Sequence, residues 1–360
     1  MAYAAIVLIL IIIGGFLFLQ QPKFGKNPEG QRLDQLRRSP NFDGRQFRNL
    51  VQRASTEKKE SFPAALIKYL VHEKNRPAPQ NDVPSQKNDL KNLGANAVVW
   101  LGHSSILIRL NGKSILIDPV FSDQASPVSF GNKSFNGSNR FTTEDLPELD
   151  YLIISHDHWD HLDYPTVKNL KAKKIIVPLG VGAHFEQWGF LPENIVEGDW
   201  GNEFRFEDLT IYVLPAQHFS GRTLTRNRTL WAAYALTSPD YKIFFSGDSG
   251  YGPYFEKIGK DFGEFDLVML DTGQYDPAWA DVHMNPEEAA QAALDLKAKA
   301  LLPAHIGKFS IAYHSWDDPF IRIDRASQDK SYRLLTPVIG QIITLDNQDQ
   351  TFVKWWESVE

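Results

Sequence analysis

The run Tyr151-Leu-Ile-Ile-Ser-His-Asp-His-Trp-Asp-His161 decides how the rest of the chain is read. It opens as a short apolar stretch, Tyr151 to Ile154, of the kind that forms a fully buried strand. Five ionisable side chains then crowd into six positions: His156, Asp157, His158, Asp160 and His161. Clustered carboxylates and imidazoles are costly to desolvate unless something compensates them, and a divalent metal is the simplest compensation. His156 and His158 are two apart, so an extended backbone points both rings the same way. Asp160 and His161 reach a second position as the chain turns toward a helix suggested by Pro165 to Leu170. Two adjacent cation sites built from one turn suit a two-metal hydrolase. Taken alone, the stretch also reads as a solvated, histidine-rich loop.

The composition leaves room for this chemistry. With 360 residues, 42% hydrophobic and 23% charged, the chain can bury a large core. A net charge of -6 without a long basic block disfavours nucleic acid as a partner. Cysteine is absent, so any metal is held by nitrogen and oxygen.

Ala2 to Leu19 carries no charge and is almost wholly apolar, near the ~18 residues of a membrane-spanning helix. Phe16-Leu-Phe-Leu-Gln20 stands where a signal peptide would need small residues for cleavage, which favours a retained anchor. Lys23, Lys26, Arg32, Arg37 and Arg38 follow it, so the positive-inside bias predicts a single-pass membrane protein with a cytoplasmic catalytic domain. The expected organisation is an anchor over 1–20, a polar arm over 21–94 packed on the main domain, and a catalytic domain over 95–360. Within the arm, Pro63 to Val71 predicts a short helix and Arg76 to Pro84 a linker.

From Ala95 the pattern becomes strand-rich. Val98–Leu101, Ser105–Leu110 and Ser114–Ile117 read as strands, with Asn111-Gly112 as a hairpin turn. Further strands are expected at 174–177, 209–214, 231–236, 242–246, 267–270, 300–302 and 341–345. A helix is expected over Pro286–Leu296, capped by Asn285. This alternation predicts a layered α/β domain. Three of the strands end, like the central one, in a metal-type side chain: Tyr212 to His218, Lys242 to Asp248 and Ala300 to His305. With the central motif they make seven ligands, enough for two ions and water.

His156-x-His158-x-Asp160-His161, followed by His218, Asp248 and His305, resembles the metallo-β-lactamase superfamily. Gly102 to Ser105, Asp118 to Pro127, Ile154 to Tyr164, Val177 to Gly180, Phe245 to Tyr251 and His283 to Ala289 resemble its branch that hydrolyses N-acyl-phosphatidylethanolamine, a phospholipase D activity. The likeness runs from about Pro28 to Leu345. It implies an αββα four-layer sandwich and two Zn²⁺ ions, with Mn²⁺ or Fe as other occupants. His156, His158 and His218 would hold one ion; Asp160, His161 and His305 the other; Asp248 would bridge. The implied nucleophile is a metal-bridging hydroxide, with Asp248 and Asp160 as the catalytic carboxylates. N-acylethanolamine and phosphatidate would be the products of such a lipid phosphodiesterase.

Asp118, at a strand end, suits a carboxylate that orients a ligand imidazole, and a turn-forming Asp-Pro explains it as well. His103 and His283 are candidates for the site or its substrate, or plain structural histidines. Asp157 and Asp163 are expected to face solvent or to support the ligands, and His72, His184 and His314 to be structural or surface residues. Trp200, Phe219, Tyr251, Tyr254 and Trp279 could line an apolar pocket or pack the core. Gln274 to Trp279 and Phe309 to Trp316 follow the family pattern only loosely and flank ligands, so substrate contacts are expected there. Two other functions fit the same residues: a lactonase or other metal-dependent esterase, and a non-catalytic metal-binding membrane protein. A homodimer is compatible with either.

Overall fold

A computed structural model of the protein describes residues 2–51 and 77–359. The expected helix Pro63–Val71 and His72 lie outside the described residues.

β1 (Ala97–Trp100), β2 (Ile106–Leu110) and β3 (Lys113–Ile117) form an antiparallel meander. Asn111 and Gly112 turn the β2–β3 hairpin with φ of 46° and 75°, the left-handed pair that a two-residue hairpin needs. β4 (Leu149–Ile153), β5 (Ala172–Pro178) and β6 (Ile195–Gly198) add to β3 in parallel. β7 (Glu203–Phe206), β8 (Leu209–Leu214), β9 (Ala233–Thr237) and β10 (Lys242–Phe245) then start a second sheet, antiparallel throughout. β11 (Leu267–Asp271), β12 (Ala300–Ala304) and the two-residue β13 (Arg333–Leu334) continue it in parallel. β14 (Ile342–Thr344) returns to the first sheet beside β1. Among the described residues both mixed sheets are seven-stranded, and in the second the spatial order follows the chain order.

Alternation along the strands makes the layers. Ile243 and Phe245 of β10, Leu267 and Met269 of β11, and Ile211 and Val213 of β8 join the first sheet's side chains in one core. Their neighbours Phe244, Val268 and Leu270 face the other way, into a second core. There they meet Phe255 and Ile258 of the helix Tyr254–Phe262, Ala289, Ala292 and Ala293 of the helix Pro286–Asp295, and Ile323 of the helix Asp318–Ala326. A one-residue register slip would exchange the two sets, which fixes the pairing. The helix at 286 starts as expected: Asn285 Oδ1 accepts from Glu288 N while Glu288 Oε2 accepts from Asn285 N, a complete capping box. The result is a two-sheet α/β sandwich.

Strands β6, β7 and β13 are not evident in the sequence. β7 is an edge strand whose Glu203 and Arg205 point to water, so it lacks an apolar signature. β3, β4 and β5 run parallel, and β8, β10, β11 and β12 share one direction. Their carboxyl ends therefore meet along one rim, where α/β sheets place ligands.

The N-terminal stretch forms a helix, Ala2–Leu19, whose side chains from Ile6 to Ile13 are about half exposed or more. Its 18 residues reach about 27 Å, just short of a ~30 Å hydrocarbon core. Counted on residues described with their side chains, which begin at Tyr3, no helix is long and apolar enough to cross a membrane. The membrane-spanning anchor expected from composition is therefore not supported by the fold. The chain after this helix lies against the rim: Leu36, Phe42 and Phe47 are buried in the second core.

Candidate metal centre

Immediately after β4 the chain leaves the sheet and delivers His156, His158, Asp160 and His161 in one tight loop, closed by His158 O accepting from His161 N and Leu162 N. Loops after β8, β10 and β12 bring His218, Asp248 and His305 from the second sheet. His156 Nε2 and His218 Nε2 lie 2.9 and 3.1 Å from His158 Nδ1. With Asp248, one ligand atom from each of these residues falls within 4.8 Å of the others. His103, Asp160, His161 and His305 form an adjoining group by the same measure. Asp248 lies between the two. Its Oδ2 is 3.7 Å from both His156 Nε2 and His218 Nε2 and 3.4 Å from His305 Nε2, and its Oδ1 is 3.1 Å from His161 Nε2.

The ligand rings are aimed by partners behind them. Asp118 Oδ2 is 2.7 Å from His161 Nδ1, while Ser155 donates to the same carboxylate from its N–H at 2.7 Å and its hydroxyl at 2.5 Å. Asp118 turns back on itself to do this, at a φ of 42° that few side chains adopt. His218 Nδ1 donates to Val282 O at 3.0 Å. Asp271 serves two rings, His305 Nδ1 at 3.1 Å and His283 Nδ1 at 2.8 Å. Each partner holds the proton on Nδ1 and leaves Nε2 facing the rim.

The charge pattern suits cations. Burial holds His156 and His218 well below the usual imidazole range and His158 at about 4, so these rings offer lone pairs without losing protons. Burial also opposes charge on His161 and His305, but the carboxylates Asp248 and Asp160 around one, and Asp248 and Asp271 around the other, outweigh it. His161 stands well above its ordinary value and His305 is pushed up to about 10. Asp248 and Asp160 sit well below the carboxylate range although burial raises them. Protons on His161 and His305 stand in for the positive charge that an ion would bring. Among the described residues His161 Nε2 and Asp248 Oδ1 are buried without a hydrogen-bond partner despite their separation of 3.1 Å. Two buried, converging, misaligned polar atoms are what a coordinated ion would satisfy, and the nitrogen–oxygen donor set fits divalent metals.

The structure thus brings all seven expected ligand residues together and adds His103, whose Nε2 is 2.9 Å from Asp160 Oδ2. Asp118 is an orienting carboxylate and not a plain turn. Asp157 and Asp163 do not face solvent: Asp157 accepts from Gly221 N–H, Thr229 and His184, and Asp163 from Ser122 and Thr166. Of the five aromatics singled out, Phe219 flanks the ligands, its ring 4.5 Å from His158 and 4.6 Å from His218. Trp200 and Tyr254 pack in the cores. Gln274 ties the two loosely matching stretches together, donating to His305 O and Phe309 O and accepting from Ile311 N and Ala312 N. Both stretches line a cavity of about 550 Å³ beside His283, through Tyr275, Asp276, Tyr313 and His314. Asp271 was missed by sequence reasoning, although Leu267-Val-Met-Leu-Asp271 has the same strand-then-carboxylate form as the strand ending in Asp248.

Residues 113–306 match the family described as Beta-lactamase superfamily domain. The chain belongs to the metallo-β-lactamase superfamily. An uncharacterized protein of Mycobacterium tuberculosis is 41% identical to it over 276 residues, 75% of this chain and 74% of that one. N-acyl-phosphatidylethanolamine-hydrolyzing phospholipase D 1 of Caenorhabditis elegans is 36% identical over 225 residues, 58% of this chain and 63% of that protein. The metallo hydrolase Igni18 of Ignicoccus hospitalis shares the fold, with a TM-score of 0.54 at 18% identity over 69% of this chain and 97% of that one. Superfamily membership and the clustered histidines and aspartates make this chain a metal-dependent hydrolase.

Proposed function

We propose that the protein is a dinuclear zinc phosphodiesterase of phospholipase D type, acting on N-acyl-phosphatidylethanolamine or a related lipid. The observation that carries this reading is Asp248, set between two groups of ligand atoms so that one carboxylate serves both. His156, His158 and His218 would hold one ion, and Asp160, His161 and His305 the other. When bound, two such ions supply an acidified water and polarise a phosphoryl oxygen. The likeness to the worm enzyme supports the lipid substrate.

The chain's own residues complete the reaction. Asp248 is placed to take a proton from the attacking water. Water oxygen forms the new bond to phosphorus as the bond to the leaving alkoxide breaks, and that alkoxide needs a proton. His283 is placed to give it: its Nδ1 is held by Asp271, its ring stacks 5.1 Å from His305, and it borders the large cavity. The cavity would take the leaving head group. All seven ligands come from one chain, so the reading needs no second subunit. Lying on a membrane surface without crossing it, the exposed apolar helix Ala2–Leu19 would keep the rim near lipid.

The test is hydrolysis by zinc-loaded protein of N-acyl-phosphatidylethanolamine in mixed micelles, beside bis-p-nitrophenyl phosphate and a simple lactone. Cleavage of the lipid that disappears in Asp248→Asn is the expected result. Activity on the lactone alone would overturn the lipid assignment, and inactivity on all three with two ions bound would leave a binding protein.

A further inference from the structure

The polar stretch that follows the N-terminal helix reaches the ligand loops from outside both sheets. Asn49 grips the main chain of His218 with both ends of its amide: Nδ2 donates to His218 O at 2.8 Å, and Oδ1 accepts from His218 N at 3.0 Å. Trp231 Nε1 donates to the same Oδ1 at 3.0 Å, which fixes which way the amide faces. The position of Asn49 is itself set by packing. Two residues earlier, Phe47 is fully buried, its ring 5.0 Å from that of Phe42, and its N–H donates to Asn227 O at 2.8 Å. Beside it, Val51 O accepts from Gln217 Nε2 at 2.8 Å.

A second grip falls on the loop that carries the other ligands. Buried Arg222 donates from Nη1 to Asp157 O at 2.8 Å and to Leu162 O at 2.6 Å, and from Nε and Nη2 to Lys23 O. Its Cζ lies 4.0 Å from the centre of the Trp159 ring. His184 Nδ1 accepts from Lys26 N at 3.0 Å, and the opposite side of that ring meets Asp157 Oδ2 at 3.1 Å. Residues 23 to 51 thus contact the flanks of both His156–His161 and His218.

We infer that this arm is a working part of the metal centre and that Asn49 is a positioning residue for the ion held by His156, His158 and His218. The inference rests on the proposed assignment of those three ligands. His218 stands in a loop outside the sheet, so its ring is aimed by the Val282 carbonyl and by the backbone that Asn49 clamps. Removing the clamp frees both main-chain groups to water and lets the ring swing. Orienting partners of this kind change metal affinity by about 10–100-fold.

The experiment uses the full chain, stripped of metal and titrated with Zn²⁺ against a chromophoric chelator. Asn49→Ala should weaken one of two ions by about 10–100-fold. Asn49→Asp, which keeps the acceptor for His218 N but sets a carboxylate oxygen against His218 O, should weaken that ion at least as much. Arg48→Ala, whose side chain among the described residues pairs with surface Asp43, serves as control. Cobalt substitution should show the altered visible spectrum at the weakened ion, while the metal-free melting temperature of Asn49→Ala stays near wild type. Two ions at wild-type affinity would overturn the inference, as would equal weakening of both with a lowered metal-free melting temperature. A wild-type chain that takes up no ion sinks the ligand assignment as well, and is told apart by that.

Discussion

Replacing Asp118 by asparagine isolates one orienting contact without changing shape. The carboxylate is fully buried and receives Ser155 N, the Ser155 hydroxyl and His161 Nδ1 at 2.5 to 2.7 Å. Asparagine is nearly isosteric, so no cavity opens, and its Oδ1 can still accept from Ser155 N. At the other position an NH₂ now faces His161 Nδ1–H, donor against donor. His161 can escape only by moving its proton to Nε2, the atom 3.1 Å from Asp248, and that nitrogen then cannot bind a cation. The loss is one charge-assisted hydrogen bond, about 1.5–3 kcal/mol. At about 1.4 kcal/mol per factor of ten, that weakens the ion at Asp160, His161 and His305 by roughly 10- to 100-fold. Competition with a chromophoric chelator reads this, and the ion at His156, His158 and His218 should hold. Second-ion affinity within twofold of wild type would refute the argument.

Three more outcomes are expected. His283→Gln should slow cleavage of an alkyl phosphodiester by about 10²–10⁴-fold yet spare bis-p-nitrophenyl phosphate, whose leaving group departs without a proton; equal losses on both would remove His283 as the acid. Zinc uptake at the second group should release protons and tighten as pH rises, since His305 holds its proton to about 10 in the metal-free chain; proton release in a weakly buffered titration measures it, and a pH-independent affinity would contradict it. Lys308 is fully buried, donates to Val120 O and Asn139 Oδ1, and burial lowers it to about 7. The unfolded chain binds that proton more tightly, up to ~10.4, so this group adds stability as pH rises above about 7. Chemical denaturation should show wild type gaining on Lys308→Met between pH 7 and 9, and a constant difference would count against it.

Where one residue type meets one local rule, the sequence was a good guide. Apolar runs marked eleven of the strands to within a few residues, and the ligands stood at strand ends because that is where parallel strands meet a rim. Asn285 and the Asn111-Gly112 turn were readable because capping and left-handed turns depend on neighbours in the chain. What escaped depends on distance in space. His184 looked like an ordinary structural histidine, and only the fold shows it bonded to Asp157, 27 residues away. Asn49 sits in a polar stretch with no periodicity, 169 residues from the histidine it holds. Asp271 carried a readable signal, but a carboxylate behind the ligands is indistinguishable in sequence from one among them.

The division of ligands between the sheets has a mechanical consequence. Four stand on a single loop after β4 and three come from the facing sheet, after β8, β10 and β12. Ions held there would rivet the halves of the sandwich at one rim, while the opposite rim is closed by side-chain contacts, among them the Lys113–Glu207 ion pair and the Tyr241–Asp346 hydrogen bond. Parting the halves from the ligand rim would then require breaking coordination, so escape of the metal and opening of that seam would become a single event with a shared rate. For such a chain, the lifetime of the folded state against proteolysis is set by how slowly its metal leaves.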